Sequence, residues 1–123
     1  MPELKTVERF IAMVETNKHD QAIEQFYTLD ASMQENQTEP RLGRDSLVAR
    51  EREVLSKASS VVSKCIYPFF INGDFVVIRW HFHFEWKDGT RNDIEEIAYQ
   101  KWKDELIYRE QFFYDPKQRD KVQ

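Results

Sequence analysis

The 123 residues hold a single cysteine, Cys65. That rules out a disulfide framework within one chain and any cysteine-based metal cluster. There are only three glycines, too few for the loops that cradle phosphates or dinucleotides. No run approaches the roughly 18 apolar residues of a transmembrane helix, and the opening "MPELKTVERF" has no apolar stretch of the signal-peptide kind. The expected compartment is therefore the cytoplasm, with no membrane partner. Acidic and basic residues are interspersed and the net charge is −4. A nucleic-acid partner is not expected of such a surface, and no block of like charge reads as a tail. There is no internal repeat and no low-complexity segment.

Aromatic residues are what the chain has in quantity: nine Phe, five Tyr and three Trp. Large rigid rings can fill a core, and they can also wall a cavity. The length suggests one domain spanning 1–123.

Leu4, Val7, Phe10, Ile11 and Val14 recur at helical spacing, which predicts a helix over 4–16. "TNKHD" ends it, and Asp20 is the expected N-cap of a second helix marked by Ala22, Ile23, Phe26 and Tyr27. Residues 30–36, "DASMQEN", alternate as a short strand, and 37–43 form a loop. A third helix starts at Asp45, with Leu47, Val48, Val54 and Leu55 on one face. Glu51 falls inside that stripe, where its head either snorkels past the edge or enters a cavity. From Ser60 the period becomes two. Strands are expected over 60–71, 75–86, 91–103 and 106–115, turned by "NG", "KDG" and "KDE". Helices first and an antiparallel meander after make an α+β fold, with helices packed on one face of a curved sheet.

The stretch "HFHFEW" (81–86) belongs to the second meander strand. Ile78, Trp80, Phe82, Phe84 and Trp86 alternate there with Arg79, His81, His83 and Glu85. The apolar face must meet the helices, so the histidines point away from them. A metal at His81 and His83 would need a third ligand such as Glu95, and no zinc motif supports one. Neither metal nor cofactor is expected. The last two strands carry polar and apolar residues on both faces, so periodicity alone does not choose their inner side.

The helix pair, "FYTLDASMQEN", "GRDSLV" and the closing "EEIAYQKWKDELIYREQFFYDP" together resemble the nuclear-transport-factor-2-like superfold. The resemblance covers nearly the whole chain and is narrower to its SnoaL-like branch of small bacterial proteins. It implies a cone-shaped α+β barrel. Against the ketosteroid isomerases of this superfold, Glu35 falls at the general base and Tyr27 at a tyrosine of the supporting network. Phe10 and Ala98 fall where that family has its oxyanion donors, so ketosteroid isomerisation itself is not implied. The resemblance turns Trp80, Phe82, Glu96, Gln100, Glu110, Phe112 and Tyr114 inward. Glu35, Glu96 and Glu110, joined by Glu51 if its head enters the cavity, would then sit among aromatic walls. Desolvation there raises carboxyl pKa values. Glu35 in particular is expected to be buried with a raised pKa.

Three functions fit this reading. One is an acid–base enzyme acting on a small apolar molecule, an isomerase, dehydratase, cyclase or hydrolase, with Glu35 as base and Tyr27, Gln100 and Tyr114 orienting the substrate. The second is a non-catalytic binding module. The third is an interaction domain using its outer sheet face. A homodimer is expected through that face, because Ile97, Tyr99, Ile107 and Phe113 are read as lying opposite the cavity.

Overall fold

The computed structural model describes all 123 residues. Helix α1 (Leu4–Glu15) buries Val7, Phe10, Ile11 and Val14, the stripe that its periodicity marks. Asn17, in a left-handed conformation, turns the chain into α2 (His19–Phe26). Lys18, not Asp20, is the N-cap. Asp20 instead lies in the first turn, where Arg52 Nε donates to it at 3.0 Å. Tyr27 opens strand β1 (Tyr27–Glu35) rather than closing the helix. A two-residue strand β2 (Arg41–Leu42) precedes α3 (Arg44–Ser56). The meander follows as β3 (Ala58–Asn72), β4 (Phe75–Trp86), β5 (Arg91–Lys103) and β6 (Leu106–Phe113). A 3-10 turn at Pro116–Arg119 leads into the C-terminal residues.

All six strands join one sheet in the order β2-β1-β6-β5-β4-β3, and β2 and β3 remain free edges. Three helices pack against this curled, unclosed sheet, an α+β architecture. One feature departs from the expected antiparallel sheet: β1 lies parallel to β6. The pairing is possible because α3 and the meander between them supply the long crossover that parallel neighbours need. Bulges between Ala58 and Ser60 and between Ile66 and Phe70 bend β3, and bends of this kind let a long sheet curl.

The core joins the helices to the concave face. Phe10 meets Phe26 edge-on at 5.6 Å and Trp102 at 6.2 Å. Trp80, Ile78 and Trp102 are at most 2% exposed. Ile107 belongs to this core and is fully buried, which corrects its expected place on the outer face. The ladder pairs Lys101 with Arg109 but Trp102 with Ile107. Tyr108 is therefore an extra residue, and one extra residue switches the side of everything beyond it. Ile97, Tyr99 and Phe113 do remain exposed, and Phe75 stacks on Tyr99 at 5.5 Å.

On the outer face Asp93 Oδ1 lies 2.9 Å from His83 Nδ1 and 3.2 Å from His81 Nε2. Glu95 is engaged by Arg79 at 2.5 Å. The Asp93 hydrogen bond holds the His83 pKa above its ordinary value. No helix is long and apolar enough to cross a membrane.

Candidate ligand cavity

The concave face of the sheet and the three helices enclose a cavity of about 170 Å³. Its sheet wall is aromatic because β4 places every second residue inward. Trp80 and Phe82 stack at 5.5 Å, and the His19 ring from α2 meets Phe82 edge-on at 5.2 Å. Phe112 of β6 and Met33 of β1 extend this wall.

Polar groups enter from β5 and β6. Along β5 the buried residues are Asn92, Ile94, Glu96, Ala98, Gln100 and Trp102, a strict alternation that places three polar side chains inside. Trp102 Nε1 donates to Gln100 Oε1 at 2.9 Å, and Gln100 Nε2 donates to Glu110 Oε2 at 2.6 Å. The Tyr27 hydroxyl donates to Glu110 Oε1. Gln100 is fully buried and does not touch the cavity; it fastens Glu110 from behind. Burial pushes the Glu110 carboxyl up to about 7, although both donors pull it down. Burial and the Glu110 charge hold the Tyr27 hydroxyl well above its ordinary value.

Glu96 differs from Glu110 in having no hydrogen-bond partner while being only 7% exposed. It lines the cavity and sits opposite Trp80 in the β4–β5 ladder. Burial pushes its carboxyl up to about 8, against the opposing charge of Arg119. Burial thus favours the protonated acid at neutral pH, and no group of the chain is placed to accept that proton.

Glu35 lies at the more open end, partly exposed rather than buried as expected, and its expected raised pKa is not found. Burial does push it up, but three donors outweigh burial and hold it below the ordinary carboxylate value. Arg41 Nη1 reaches Oε2 at 2.8 Å, while the Tyr114 hydroxyl and Arg119 Nη2 reach Oε1 at 2.8 and 2.7 Å. Tyr114 is not a cavity wall; its ring supports the Arg119 guanidinium at 4.8 Å. Arg41 comes from β2 and Arg119 from the C-terminal turn, segments without periodic pattern. No sequence signal announced either one.

Glu51 turns its head into the cavity, where Oε1 lies 3.3 Å from His19 Nδ1. His19 Nε2 lies 2.8 Å from Ser63 Oγ, and Ser63 Oγ donates to Asn17 Oδ1 at 2.7 Å. A hydroxyl has one hydrogen. Ser63 uses it on Asn17, so His19 Nε2 is the donor to Ser63 and its Nδ1 faces Glu51. His19 was not a candidate from sequence, because it sits in "TNKHD", which reads as a break between helices.

No protein-family model and no curated protein matches the chain. Solved structures do. A SnoaL-like polyketide cyclase of Mesorhizobium loti is 18% identical, with 93% of this chain and 100% of that one covered at a TM-score of 0.76. An LEH-like epoxide hydrolase of M. tuberculosis is 12% identical, covering 94% and 84% at 0.76. A Catenulispora acidiphila protein of ketosteroid isomerase-like fold, in complex with trimethylamine, is 16% identical, covering 94% and 88% at 0.76. At these identities the likeness is one of architecture: the chain has the ketosteroid-isomerase-like, nuclear-transport-factor-2-like fold.

Proposed function

We propose that the chain binds a small, largely apolar molecule bearing a hydrogen-bond-accepting oxygen, and that Glu96 acts as an acid toward that oxygen. The observation that carries this is the buried Glu96 carboxyl, without a hydrogen-bond partner in the chain, among aromatic walls. This carboxyl faces the cavity, and a hydrogen bond from it to a ligand acceptor there is worth about 1 kcal/mol net. A carboxylic acid kept neutral near pH 7 can also donate its proton during a reaction. Glu110 and Tyr27 form a pre-ordered pair beside it, suited to fixing orientation. Glu35, held by two guanidinium groups, serves here as an anchor more readily than as a base. Among proteins of this fold, one is named a polyketide cyclase and another an epoxide hydrolase. Isomerisation, dehydration, cyclisation and hydrolysis all draw on such an acid. Binding without turnover draws on the same geometry.

Benzylideneacetone, a neutral aromatic ketone, is a suitable probe. It should raise the melting temperature of the full chain, and Glu96→Leu should weaken its binding about fivefold to tenfold, the worth of one net hydrogen bond of about 1 kcal/mol. Equal binding by the two proteins would remove Glu96 from the site.

A homodimer through the outer sheet face is part of the same proposal. Ile97, Tyr99, Phe113 and Phe75 expose large apolar groups there, each between 37% and 43% accessible. Grouped apolar side chains on a sheet exterior favour an interface. Light scattering should give twice the 14.9 kDa of one chain, and Tyr99→Glu should reduce it to the monomer. A wild-type monomer at high concentration would exclude the dimer.

A further inference from the structure

We infer that the ligand carries an anionic group, a carboxylate, received by Arg41 and Arg119 at the open end of the cavity. This rests on the binding reading above and names the class of molecule for the same site. Four glutamates line the cavity, and by sequence the site reads as acidic. The structure reverses that sign. Glu110 is satisfied by two neutral donors, Tyr27 and Gln100, and Glu96 has no cation within hydrogen-bonding distance. Burial pushes both carboxyls up, Glu96 to about 8 and Glu110 to about 7, which lowers the negative charge they carry at neutral pH. Glu51 faces His19. Glu35 remains, one carboxylate shared by two guanidinium groups.

Arg50, the third arginine in the lining, has no ion pair at all. The excess of positive charge is accompanied by an excess of donors. A guanidinium carries five N–H groups. Arg41 places one on Glu35, and its side chain is 31% exposed. Arg119 also places one on Glu35, and its side chain is 47% exposed, so its remaining donors are reachable from outside. The planar fork of a guanidinium matches a carboxylate in shape as well as charge.

The apolar part of the molecule follows from the opposite wall. A dry cavity of about 150 Å³ holds benzene. A cavity of about 170 Å³ walled by Trp80, Phe82 and Phe112 therefore suits one aromatic ring with a short side chain. The inferred ligand is an aryl-substituted carboxylic acid, ring against β4 and carboxylate toward β2 and the C-terminal turn. Aromatic walls also attract organic cations. The guanidinium groups oppose a cation here, so the two classes are separable by experiment.

Three probes share one body and differ in charge: trans-cinnamate, cinnamamide and cinnamylamine. Calorimetric titration of the full chain at pH 7 should show cinnamate binding at least tenfold more tightly than cinnamamide, with cinnamylamine weakest. Arg119→Gln should bring cinnamate down to the level of cinnamamide. Arg41→Gln should act in the same direction, which guards against one variant disturbing the C-terminal turn. Cinnamylamine binding as tightly as cinnamate would overturn the inference, as would a preference for cinnamate that survives both substitutions. If cinnamamide and benzylideneacetone bind while cinnamate does not, the anion is wrong and the proposed function stands. If none of the four binds, both are wrong.

Discussion

Glu96→Gln should stabilise the protein by several kcal/mol at pH 8 and leave it nearly unchanged at pH 4. The folded chain holds a proton on Glu96 up to about pH 8, whereas the ordinary value is 4.5. Between those two values the unfolded chain releases a proton that the folded chain keeps. Each pH unit in this window therefore weakens the fold by about 1.4 kcal/mol. Below pH 4.5 both states are protonated and nothing is lost; above pH 8 the loss is complete. Taken at face value the window amounts to about 4–5 kcal/mol, and relaxation of a charged side chain toward water at the open end reduces it to about 2–4 kcal/mol. A glutamine presents a neutral polar group of the same shape at every pH. Urea denaturation of both proteins from pH 4 to pH 8 should give curves that meet at the acid end and diverge upward. Glu110 remains in both, so the difference between the curves belongs to Glu96. Parallel curves would mean that Glu96 is ionised in the fold, and its role as an acid would end there.

The contrast among the four cavity glutamates explains how far the sequence could be read. Strand β4 was legible because Ile78, Trp80, Phe82 and Phe84 are all apolar and every residue between them is polar. One face had to be inside. On β5 both faces mix, since Glu96 and Gln100 sit inside while Ile97 and Tyr99 sit outside. Resemblance to a fold, not periodicity, chose the side. Ile107 was misread because a single extra residue in β6 is silent in the pattern yet inverts the face. The parallel pairing of β1 with β6 joins segments about 80 residues apart, and strand period carries no information about such partners. The character of Glu35 depends on Arg41 and Arg119, which arrive from a loop strand and a terminal turn. A residue's side of a strand is a local property. Its protonation state depends on neighbours that only the tertiary structure supplies.

Gln100→Leu should cost about 3–4 kcal/mol, although the substituted side chain is of similar size and apolar. Gln100 is fully buried and links two groups that have no other partner for the same atoms. Its oxygen accepts from Trp102 Nε1, and its amide donates to Glu110 Oε2. Leucine would leave the indole N–H and one carboxyl oxygen buried and unsatisfied, each at about 1–3 kcal/mol. The Tyr27 hydroxyl still reaches the other Glu110 oxygen, so the network is cut and not dissolved. Losing a donor to the carboxylate also moves the Glu110 pKa further upward, since the Gln100 hydrogen bond is one of the two influences that lower it. The penalty relative to the unsubstituted chain should therefore be constant up to about pH 7 and grow above it, where the unsubstituted fold releases the Glu110 proton and the variant still holds it. Trp102→Phe is the comparison that separates the two halves of the link. It removes the indole donor and leaves Glu110 fully bonded, so its penalty should not grow with pH. Denaturation of the two variants and the unsubstituted chain at pH 5 and pH 9 provides the measurement. A pH-independent loss for Gln100→Leu, or a loss below about 1 kcal/mol, would show that water or repacking satisfies Glu110 Oε2. Gln100 would then not be the group that holds Glu110 Oε2, and only the Tyr27 hydroxyl would fix this carboxyl in the cavity.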